Sequence, residues 1–459
     1  MRTTWYKYIL STIIVFFLYS SDMLHSAFAQ QSGQLKEMPG NEVEDLKWQL
    51  KQMEQAVQGQ QEQIQALKKR LEVVSTEAAP VVPKEEIQHI LEDYLETDEA
   101  RKKMGLALPG VTGVYTPDDE KYALSVRSPD SNYTLNLGGR MQFRYTYKDK
   151  DEDFNESDVN DLSLRRARVY FGGNIYTKFV HYYVELDADK FNIGLRDFYI
   201  YVTPLEELNG KFRYFKVPFN RQRMCSSSKL LLQDRSIASE TFDQDRDYGL
   251  DLYGHPFEGH MEYHAAVFQG AGENFSKLNN GDNIDNKLLY VLSLRYNPFG
   301  EYDYYDETDV KYSDKLKTTV GASVAFNGKA NDEKIKNTNT TVGVVDTGLK
   351  YKGISWNNEY FIRTEDPESD GDTVNSDGFY TQAGYFVLPK KLEVAARYSM
   401  VDPDTDVTND LQREYTIGVN YYFRAHRSEI QADVGHYVTD TKEQDKEENR
   451  IRVQYQIIF

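Results

Sequence analysis

The last eleven residues of this 459-residue chain, NRIRVQYQIIF, alternate between polar and apolar side chains and end without a polar tail. Successive side chains of a β-strand point to opposite faces, so this segment predicts a strand with one apolar and one polar face. The apolar face carries Ile451, Val453, Tyr455, Ile457 and Phe459. The polar face carries Arg450, Arg452, Gln454 and Gln456. Such a strand can complete a soluble sheet or close a membrane barrel, and the rest of the chain decides between the two.

The same two-residue period recurs from Tyr133 to the C-terminus. It gives sixteen candidate strands, which begin near residues 133, 162, 178, 194, 210, 247, 259, 287, 316, 342, 353, 378, 390, 412, 426 and 449. Long connectors such as 219–246 alternate with short ones such as Tyr176-Thr177. Outer-membrane barrels have short periplasmic turns and longer outer loops, so we expect an all-β transmembrane barrel of about 16 antiparallel strands over residues 131–459.

One connector breaks this alternation. Residues 297–315 are long and acidic, yet parity places them on the side of the short turns. A hairpin hidden in this connector would change the strand count by two. In a closed barrel the final strand pairs with the first, which leaves no free edge in lipid. The terminal Phe459 resembles the signal that the outer-membrane assembly machinery reads.

The composition supports a membrane barrel and excludes other classes. The chain has 54 Lys and Arg against 73 Asp and Glu, a formal net charge of −19, which argues against a nucleic-acid partner. Mean hydropathy is −0.67, yet the chain holds 35 Tyr and 23 Phe, too many aromatics for an acidic disordered protein. No apolar run of about 20 residues follows the N-terminus, which argues against transmembrane helices.

The first 130 residues have a different organisation. Residues 1–29 have a basic start, a short apolar stretch and the small-x-small site Ala27-Phe28-Ala29, which predicts a secretory signal peptide. Residues 30–83 are predicted to form a periplasmic coiled coil followed by a proline-marked linker. Heptad positions a and d are Val43, Leu50, Val57, Ile64 and Leu71, and Leu46, Met53, Gln60, Leu67 and Val74. Residues 84–130 are expected to form a short helix and a connector, and the coil is expected to self-associate.

Arginines are the candidate functional residues on the lumen face. In Leu162–Gly173 the apolar face is Ala167, Val169 and Phe171, which turns Arg166 and Arg168 inward. Arg140 and Arg144 face inward by the same alternation. An arginine on the lipid face costs about 2–4 kcal/mol near the midplane, and rings of basic side chains select anions in pores. The alternative is that these arginines pair with lumenal carboxylates such as Glu185 and Asp187.

The segment Phe215–Gly254 resembles the hallmark region of the phosphate-selective porin O and P family. The similar pieces are Phe215-Lys216-Val217-Pro218-Phe219, the serines at 226–228, Asp234-Arg235-Ser236 and Arg246-Asp247-x-Gly249. The strands LRRARVYFGG and LRDFYIYV also resemble that family, and the likeness covers residues 133–459. The resemblance implies a sixteen-stranded trimeric barrel with a long loop folded inward and anion-selective passage.

In that resemblance the connector 219–246 would be the constriction loop. Its basic residues, with Lys216 just before it, are Arg221, Arg223, Lys229, Arg235 and Arg246. Asp234, Asp243, Asp245 and Asp247 lie among them, a departure from a strongly basic phosphate pathway. Family membership is therefore a firmer expectation than phosphate specificity.

Other chemistry has less support in the sequence. His260, Glu262 and His264 share one strand face, but same-face neighbours lie about 6.5–7 Å apart, which disfavours a metal site. No motif of the GxSxG type frames a serine, and the single Cys225 cannot form an internal disulfide. Neither a cofactor nor catalysis is expected.

We therefore expect an outer-membrane porin for passive diffusion of small hydrophilic solutes, with a preference for phosphate or other anions. Its expected partners are outer-membrane lipid, two further copies of itself in a homotrimer, the assembly machinery at the C-terminal strand, and small anionic or polar solutes. The alternatives are a general or sugar-selecting porin, a barrel hydrolase, and a tether between the outer membrane and the cell wall.

Overall fold

The computed structural model describes residues 112–115, 121–151, 154, 156–189, 192–270, 287–329, 338–367 and 371–459. The expected signal peptide, the coiled coil and the short helix after it lie outside the described residues, so these remain predictions. Among the described residues, no helix is long and apolar enough to cross a membrane.

Eighteen strands and two short helices make up the described structure. The strands are β1 Thr112–Tyr115, β2 Leu124–Arg127, β3 Thr134–Lys150, β4 Val159–Asn174, β5 Val180–Asp189, β6 Asn192–Val202, β7 Asn209–Lys216, β8 Arg246–Gly254, β9 Met261–Phe268, β10 Leu289–Tyr296, β11 Lys317–Lys329, β12 Thr338–Tyr351, β13 Ile354–Pro367, β14 Val374–Leu388, β15 Leu392–Asp402, β16 Gln412–Arg424, β17 Ser428–Thr439 and β18 Lys446–Ile458. The helices are α1 Arg221–Met224 and α2 Ile237–Phe242.

Strands β3 to β18 form a closed antiparallel barrel of sixteen strands, which confirms the predicted fold. Each strand pairs with its sequence neighbours, and β18 closes the barrel against β3 from Glu448↔Lys150 to Ile458↔Arg140. Within residues 297–316 the structure has no strand, so the doubtful connector hides no hairpin. The small β2 strand continues the sheet beside β3, from Leu124↔Leu137 to Arg127↔Thr134, beyond the point where β18 ends.

The final strand has the two faces that its sequence predicts. Arg452, Gln454 and Gln456 are buried toward the lumen, whereas Tyr455 and Phe459 are exposed on the outer surface. Phe459 exchanges two backbone hydrogen bonds with Gly139, at 2.9 Å from the Phe459 N–H and 2.7 Å to the Phe459 carbonyl. A Cβ at position 139 would lie 2.5 Å from the Phe459 ring, so a larger residue there would displace this ring.

Two connectors on opposite ends of the barrel fold into its lumen. The first, residues 217–245 between β7 and β8, enters from the end with the long loops, and we call it the loop insert. The second, residues 297–316 between β10 and β11, enters from the end with the short turns, and we call it the turn insert. The turn insert explains why this connector is long at the end where turns are short.

The loop insert packs on one side of the barrel wall. Its Phe219 and Phe242 are 0% and 1% exposed, and the Phe242 ring stacks on Phe361 of β13 with centroids 5.3 Å apart. Leu231 and Leu232 pack with Ala395 of β15. Each buried phenylalanine or leucine contributes about 1.5–3 kcal/mol by the hydrophobic effect. This apolar contact fixes the insert to one half of the lumen and leaves the other half open.

The turn insert fills the space below the loop insert. Val310 packs with Phe386 of β14 and Tyr422 of β16. Asp309 accepts hydrogen bonds from the backbone N–H groups of Ser313 and Gly353, the latter at 2.7 Å. Buried polar groups are costly unless they are paired, and these pairings let an acidic connector enter the barrel.

Candidate permeation pathway

A cavity of about 1110 Å³ lies on the open side of the lumen, between the loop insert and the wall of β3 to β8. Of the residues that the structure describes, thirteen Lys and Arg side chains line this cavity against six Asp and Glu side chains. The balance is opposite in sign to the net charge of −19 of the whole chain. The acidic residues of the protein are therefore concentrated elsewhere, and the cavity is a basic compartment.

The barrel wall contributes arginines from β3 and β4. Arg140 donates hydrogen bonds to Ser226 at 3.3 Å and Ser227 at 3.1 Å, which attaches the loop insert to the wall. Arg166 donates to the side-chain oxygen of Gln142 at 2.9 Å, and among the described residues no carboxylate lies within ion-pair distance of it. Arg166 therefore keeps an unbalanced charge beside the cavity.

Arg168 pairs with lumenal carboxylates, which is the alternative that the sequence left open. Its guanidinium is 2.6 Å from the Glu185 carboxylate and 2.8 Å from the Asp187 carboxylate, both on β5. Pairing across neighbouring strands places opposite charges on the same lumen face. Arg168 lines the cavity, but its charge is balanced locally.

The basic residues of the loop insert have two roles. Lys216 donates to the carbonyls of Met224 and Cys225 at 3.1 and 2.9 Å, and Arg235 donates to the carbonyls of Gln222 and Cys225 at 2.9 Å each. These bonds fix the backbone around α1. Their acceptors are carbonyl groups rather than carboxylates, so the bonds do not neutralise the positive charges of Lys216 and Arg235. Lys229 also lines the cavity.

The remaining cations of the loop insert pair with carboxylates. Arg223 pairs with Asp243 at 3.3 Å and also with Asp245, and Arg246 pairs with Asp197 at 3.1 Å. Burial lowers the pKa of Arg223 to about 10, although Asp243 opposes the change, so this side chain remains charged at neutral pH.

Asp234 is the acidic centre of the wall contact. Its carboxylate lies 2.7 Å from both Arg144 and Arg452, and 3.8 Å from Arg165. Partial burial would raise the pKa of Asp234, but Arg144 and Arg452 outweigh it and hold that pKa well below its usual range. Asp234 therefore stays ionised and joins the loop insert to β3 and β18.

Eight of the ten predicted pathway residues line the cavity. They are Arg140, Arg166, Arg168, Lys216, Arg223, Lys229, Arg235 and Arg246. Arg144 is held behind the cavity by Asp234 and Gln454. Arg221 is 1% exposed within the filled half of the lumen, where it donates to Asn357 at 2.6 Å. Arg221 thus fixes the loop insert in place and does not face the passage.

Five basic lining residues lie outside the predicted set: Lys121, Arg165, Arg196, Lys211 and Arg450. Arg165 and Arg196 lie at register shifts, where the pairing of β3 with β4 and of β5 with β6 skips one residue. A bulge breaks strict alternation, so both side chains reach the lumen beside inward-facing neighbours. Lys211 follows the ordinary alternation of β7, and its position could have been found from the sequence.

The two inserts meet through Glu307. Its carboxylate accepts hydrogen bonds from the Leu231 N–H and from the Gln222 side chain, each at 2.8 Å, and its own N–H donates to the Lys229 carbonyl at 3.0 Å. The Cys225 thiol donates to the Tyr305 carbonyl at 3.1 Å. The turn insert therefore supports the loop insert from below, a contact that no local sequence signal indicates.

The turn insert is itself anchored to the barrel by His426, in the turn between β16 and β17. The imidazole lies 3.3 Å from Asp306 and 2.9 Å from Glu429. Burial would lower the pKa of His426, but these two carboxylates outweigh it and raise that pKa to about 10. The pKa of Asp306 is held below its usual range by His426 and Lys350 despite burial.

The histidines and the cysteine that the sequence offers for other chemistry make structural contacts. His264 lies between Asp251 and Glu262, at 3.0 and 3.1 Å, whereas the His260 ring is engaged by the Phe257 carbonyl at 2.9 Å. In the part of the chain that the structure describes, no group of three such side chains could hold a metal ion. Cys225 is fully buried, and burial raises the pKa of its thiol well above the usual value. A thiol of this kind is a structural rather than a reactive group.

A closed sixteen-stranded barrel with an inward loop and a water-accessible basic cavity defines a porin of the bacterial outer membrane. The profile of the phosphate-selective porin O and P family matches residues 135–459, and this chain belongs to that family. No curated protein matches the chain.

Several solved structures are similar to this chain in fold. An anion-selective porin from Comamonas acidovorans is 9% identical, with a TM-score of 0.51, covering 70% of this chain and 99% of that one. The outer membrane channel DcaP of Acinetobacter baumannii is 13% identical, with a TM-score of 0.49, covering 71% and 97%. A trimer form of OmpT of Vibrio cholerae is 12% identical, with a TM-score of 0.49, covering 71% and 99%. At this identity the likeness concerns the fold alone.

Proposed function

We propose that this porin prefers small anions, phosphate among them, and that solutes cross it by passive diffusion without catalysis. The observation that carries the proposal is the excess of thirteen cationic over six anionic side chains around the cavity. Walls that carry one sign of charge concentrate counter-ions where the passage is narrow. Arg140 and Arg166, which lack carboxylate partners among the described residues, supply charge that an entering anion can use.

The experiment is a reversal-potential measurement on the purified protein in a planar bilayer, under a potassium chloride gradient. We expect chloride to be the more permeant ion, and inorganic phosphate to reduce chloride conductance by competing for the same side chains. A channel that prefers potassium would contradict the proposal. A protein that forms no open channel would instead favour the hydrolase or tether alternatives.

A sugar-selecting porin is the main alternative, and one feature of the wall bears on it. Tyr170, Tyr183, Tyr199 and Phe215 form a row across β4 to β7, with successive ring centroids 6.5, 5.2 and 5.9 Å apart. Sugars stack on exposed ring faces, but Tyr170 and Tyr183 are 6% exposed and Phe215 is 2% exposed. The rings are covered, and the Lys121 ammonium lies 3.8 Å above the Tyr183 ring. This arrangement favours the anion proposal.

We further propose that the protein works as a homotrimer. Support comes from the outer surface of β7 to β10, whose strands have only eight or nine residues. A strand that crosses lipid needs about 9–11 residues. A wall this short is better suited to contact with another subunit than to contact with lipid.

An arginine on the same outer surface also favours a protein neighbour. By the alternation that directs Lys211 and Phe215 inward, Arg213 of β7 should also face the lumen. Its φ of 109° instead turns its side chain to the outer surface. Its guanidinium lies 5.4 Å from the Phe198 ring and 5.7 Å from the Tyr248 ring, both on the outer face. Exposure to lipid would cost up to about 2–4 kcal/mol. Sedimentation in detergent should give three copies for the native chain and fewer for Arg213→Glu, with Lys442→Glu as the control.

The N-terminal heptads complete the proposal. We propose that residues 30–83 form a periplasmic coiled coil that associates in threes, and that Phe459 with the last strand is presented to the assembly machinery. A full chain and a chain lacking residues 30–83 can be compared by sedimentation in detergent at falling protein concentration. As the protein is diluted, we expect the chain lacking residues 30–83 to dissociate at a higher protein concentration than the full chain does. Equal behaviour would remove the coil from the account of assembly.

A further inference from the structure

A second cavity, of about 390 Å³, opens at the short-turn end of the barrel, apart from the permeation pathway. It lies between the turn that joins β14 to β15 and the turn that joins β16 to β17. Its lining residues are Val310, Lys390, Lys391, Phe423, Arg424, Ala425, His426 and Arg427. Among the residues that the structure describes, no Asp or Glu lines this cavity. In a chain with a net charge of −19, a cavity with only basic charged side chains indicates a site for an anion.

The two turns are joined, so the cavity has a defined shape. The Lys391 ammonium donates to the Phe423 carbonyl at 3.1 Å, and the Lys391 carbonyl accepts from the Tyr422 N–H at 2.9 Å. The two carboxylates that contact His426 are those of Asp306 and Glu429, which are 2% and 1% exposed. They are therefore screened from the cavity by the imidazole that they bind.

The wall above the cavity is apolar and faces outward. Phe423 both lines the cavity and is 50% exposed on the outer surface, where its ring packs against Tyr421 with centroids 4.9 Å apart. Val387 and Leu388, which precede the other turn, are 50% and 52% exposed. The strands here, β14 to β17, have 11 to 15 residues, long enough to cross lipid. This part of the wall thus meets acyl chains directly above the basic turns.

We propose that this cavity binds the phosphate of an anionic phospholipid in the inner leaflet, with an acyl chain lying along Phe423 and Leu388. Lys390, Lys391, Arg424 and Arg427 supply the positive charge. Basic side chains near a membrane surface attract anionic headgroups, and basic pockets hold them. The combination of a basic cavity with an adjoining lipid-facing apolar wall distinguishes a lipid from free phosphate, which would gain nothing from the apolar surface.

The test uses the full-length protein in vesicles of equal parts phosphatidylglycerol and phosphatidylcholine. After extraction in mild detergent, the lipid retained by the protein is measured by mass spectrometry. We expect several-fold more phosphatidylglycerol than phosphatidylcholine on the native protein. In Lys390→Gln/Lys391→Gln/Arg424→Gln the two lipids should be retained about equally, because the basic side chains that attract an anionic headgroup are removed.

The control removes three charges at the same end of the barrel but outside the cavity, in Lys178→Gln/Lys315→Gln/Lys352→Gln, all exposed residues. Heat-modifiable mobility on gels verifies that each variant is folded, and single Lys390→Gln and Arg424→Gln variants replace a triple variant that does not fold. Equal retention of both lipids by the native protein, or equal loss in the control, overturns the proposal. Displacement of the retained lipid by inorganic phosphate alone would reassign the cavity to a free anion.

Discussion

Neutralising Arg165 and Arg166 together tests whether wall charge sets ion selectivity. Both line the cavity, Arg166 has no carboxylate partner among the described residues, and Arg165 is 3.8 Å from Asp234 with its side chain 40% exposed. Arg168 is a poorer choice because Glu185 and Asp187 already balance it. We therefore use Arg165→Gln/Arg166→Gln, which keeps hydrogen-bonding capacity and removes two positive charges.

The expected size of the effect follows from Coulomb's law. A unit charge about 5 Å from the path of an ion changes its energy by about 0.8 kcal/mol in water, and screening at physiological salt leaves about half of that. The remainder, about 0.4 kcal/mol, raises the local anion concentration about twofold and lowers that of cations about twofold. Removing two such charges should reduce the chloride-to-potassium permeability ratio on the order of tenfold.

The assay is the reversal potential of single channels in a planar bilayer under a tenfold gradient of potassium chloride. The matched control is Lys315→Gln/Lys442→Gln, which removes two exposed charges, one near each mouth of the barrel. These charges are solvated and lie away from the cavity wall, so their loss should change the ratio by less than about twofold. A control shift as large as that of the wall variant would refute the reasoning that local charge, rather than net charge, selects the ion.

Three further predictions follow from the contacts of the inserts and of the barrel seam. Deleting Phe459 removes two backbone hydrogen bonds to Gly139, so it should lower the yield of heat-modifiable barrel and weaken the fold by about 1–3 kcal/mol; unchanged yield and unfolding temperature would contradict this. Glu307→Ala leaves two buried donors unpaired, so it should lower the free energy of unfolding by about 1–3 kcal/mol and increase open-channel noise. Quiet currents would show that the inserts hold each other by other means. The pKa of His426 is raised to about 10, so the stability from its contact with Asp306 is fully present below its ordinary pKa of 6.5 and is lost as pH rises through about 10. Noise should therefore increase above about pH 9, and His426→Gln should be noisy already at neutral pH without a further increase.

The barrel could be predicted from the sequence because its determinants are local. Alternation of side chains and alternation of connector lengths located all sixteen strands, and the burial pattern of β18 reproduces the two faces read from its sequence. The bulged positions could not be found in this way. Arg165 and Arg196 reach the lumen only because one residue is skipped in the pairing, and a strict period of two assigns such side chains to the wrong face.

The permeation pathway was predictable in its residue types and less so in its pairings. Inward alternation indicated Arg140, Arg166 and Arg168, but whether each arginine is free or paired depends on the neighbouring strand and on the insert. Arg221 illustrates the limit. It lies in the segment that resembles the constriction loop, yet the apolar packing of Phe219 turns this part of the insert toward the filled half of the lumen.

The position of the constriction depends on both ends of the barrel. On the cavity side, the loop insert is attached to the wall by Arg140 and Asp234, contacts that water and salt can weaken at the edge of the cavity. The turn insert supplies a second support from the opposite end, through the buried carboxylate of Glu307 and the anchored Asp306. Paired buried charges hold a single geometry. The turn insert, which is the acidic connector that breaks the alternation of loop lengths, therefore gives the basic passage a fixed opposite wall. An acidic protein can therefore keep a basic pathway: many of its lumenal carboxylates serve to position the inserts, and several cations remain free to meet the solute.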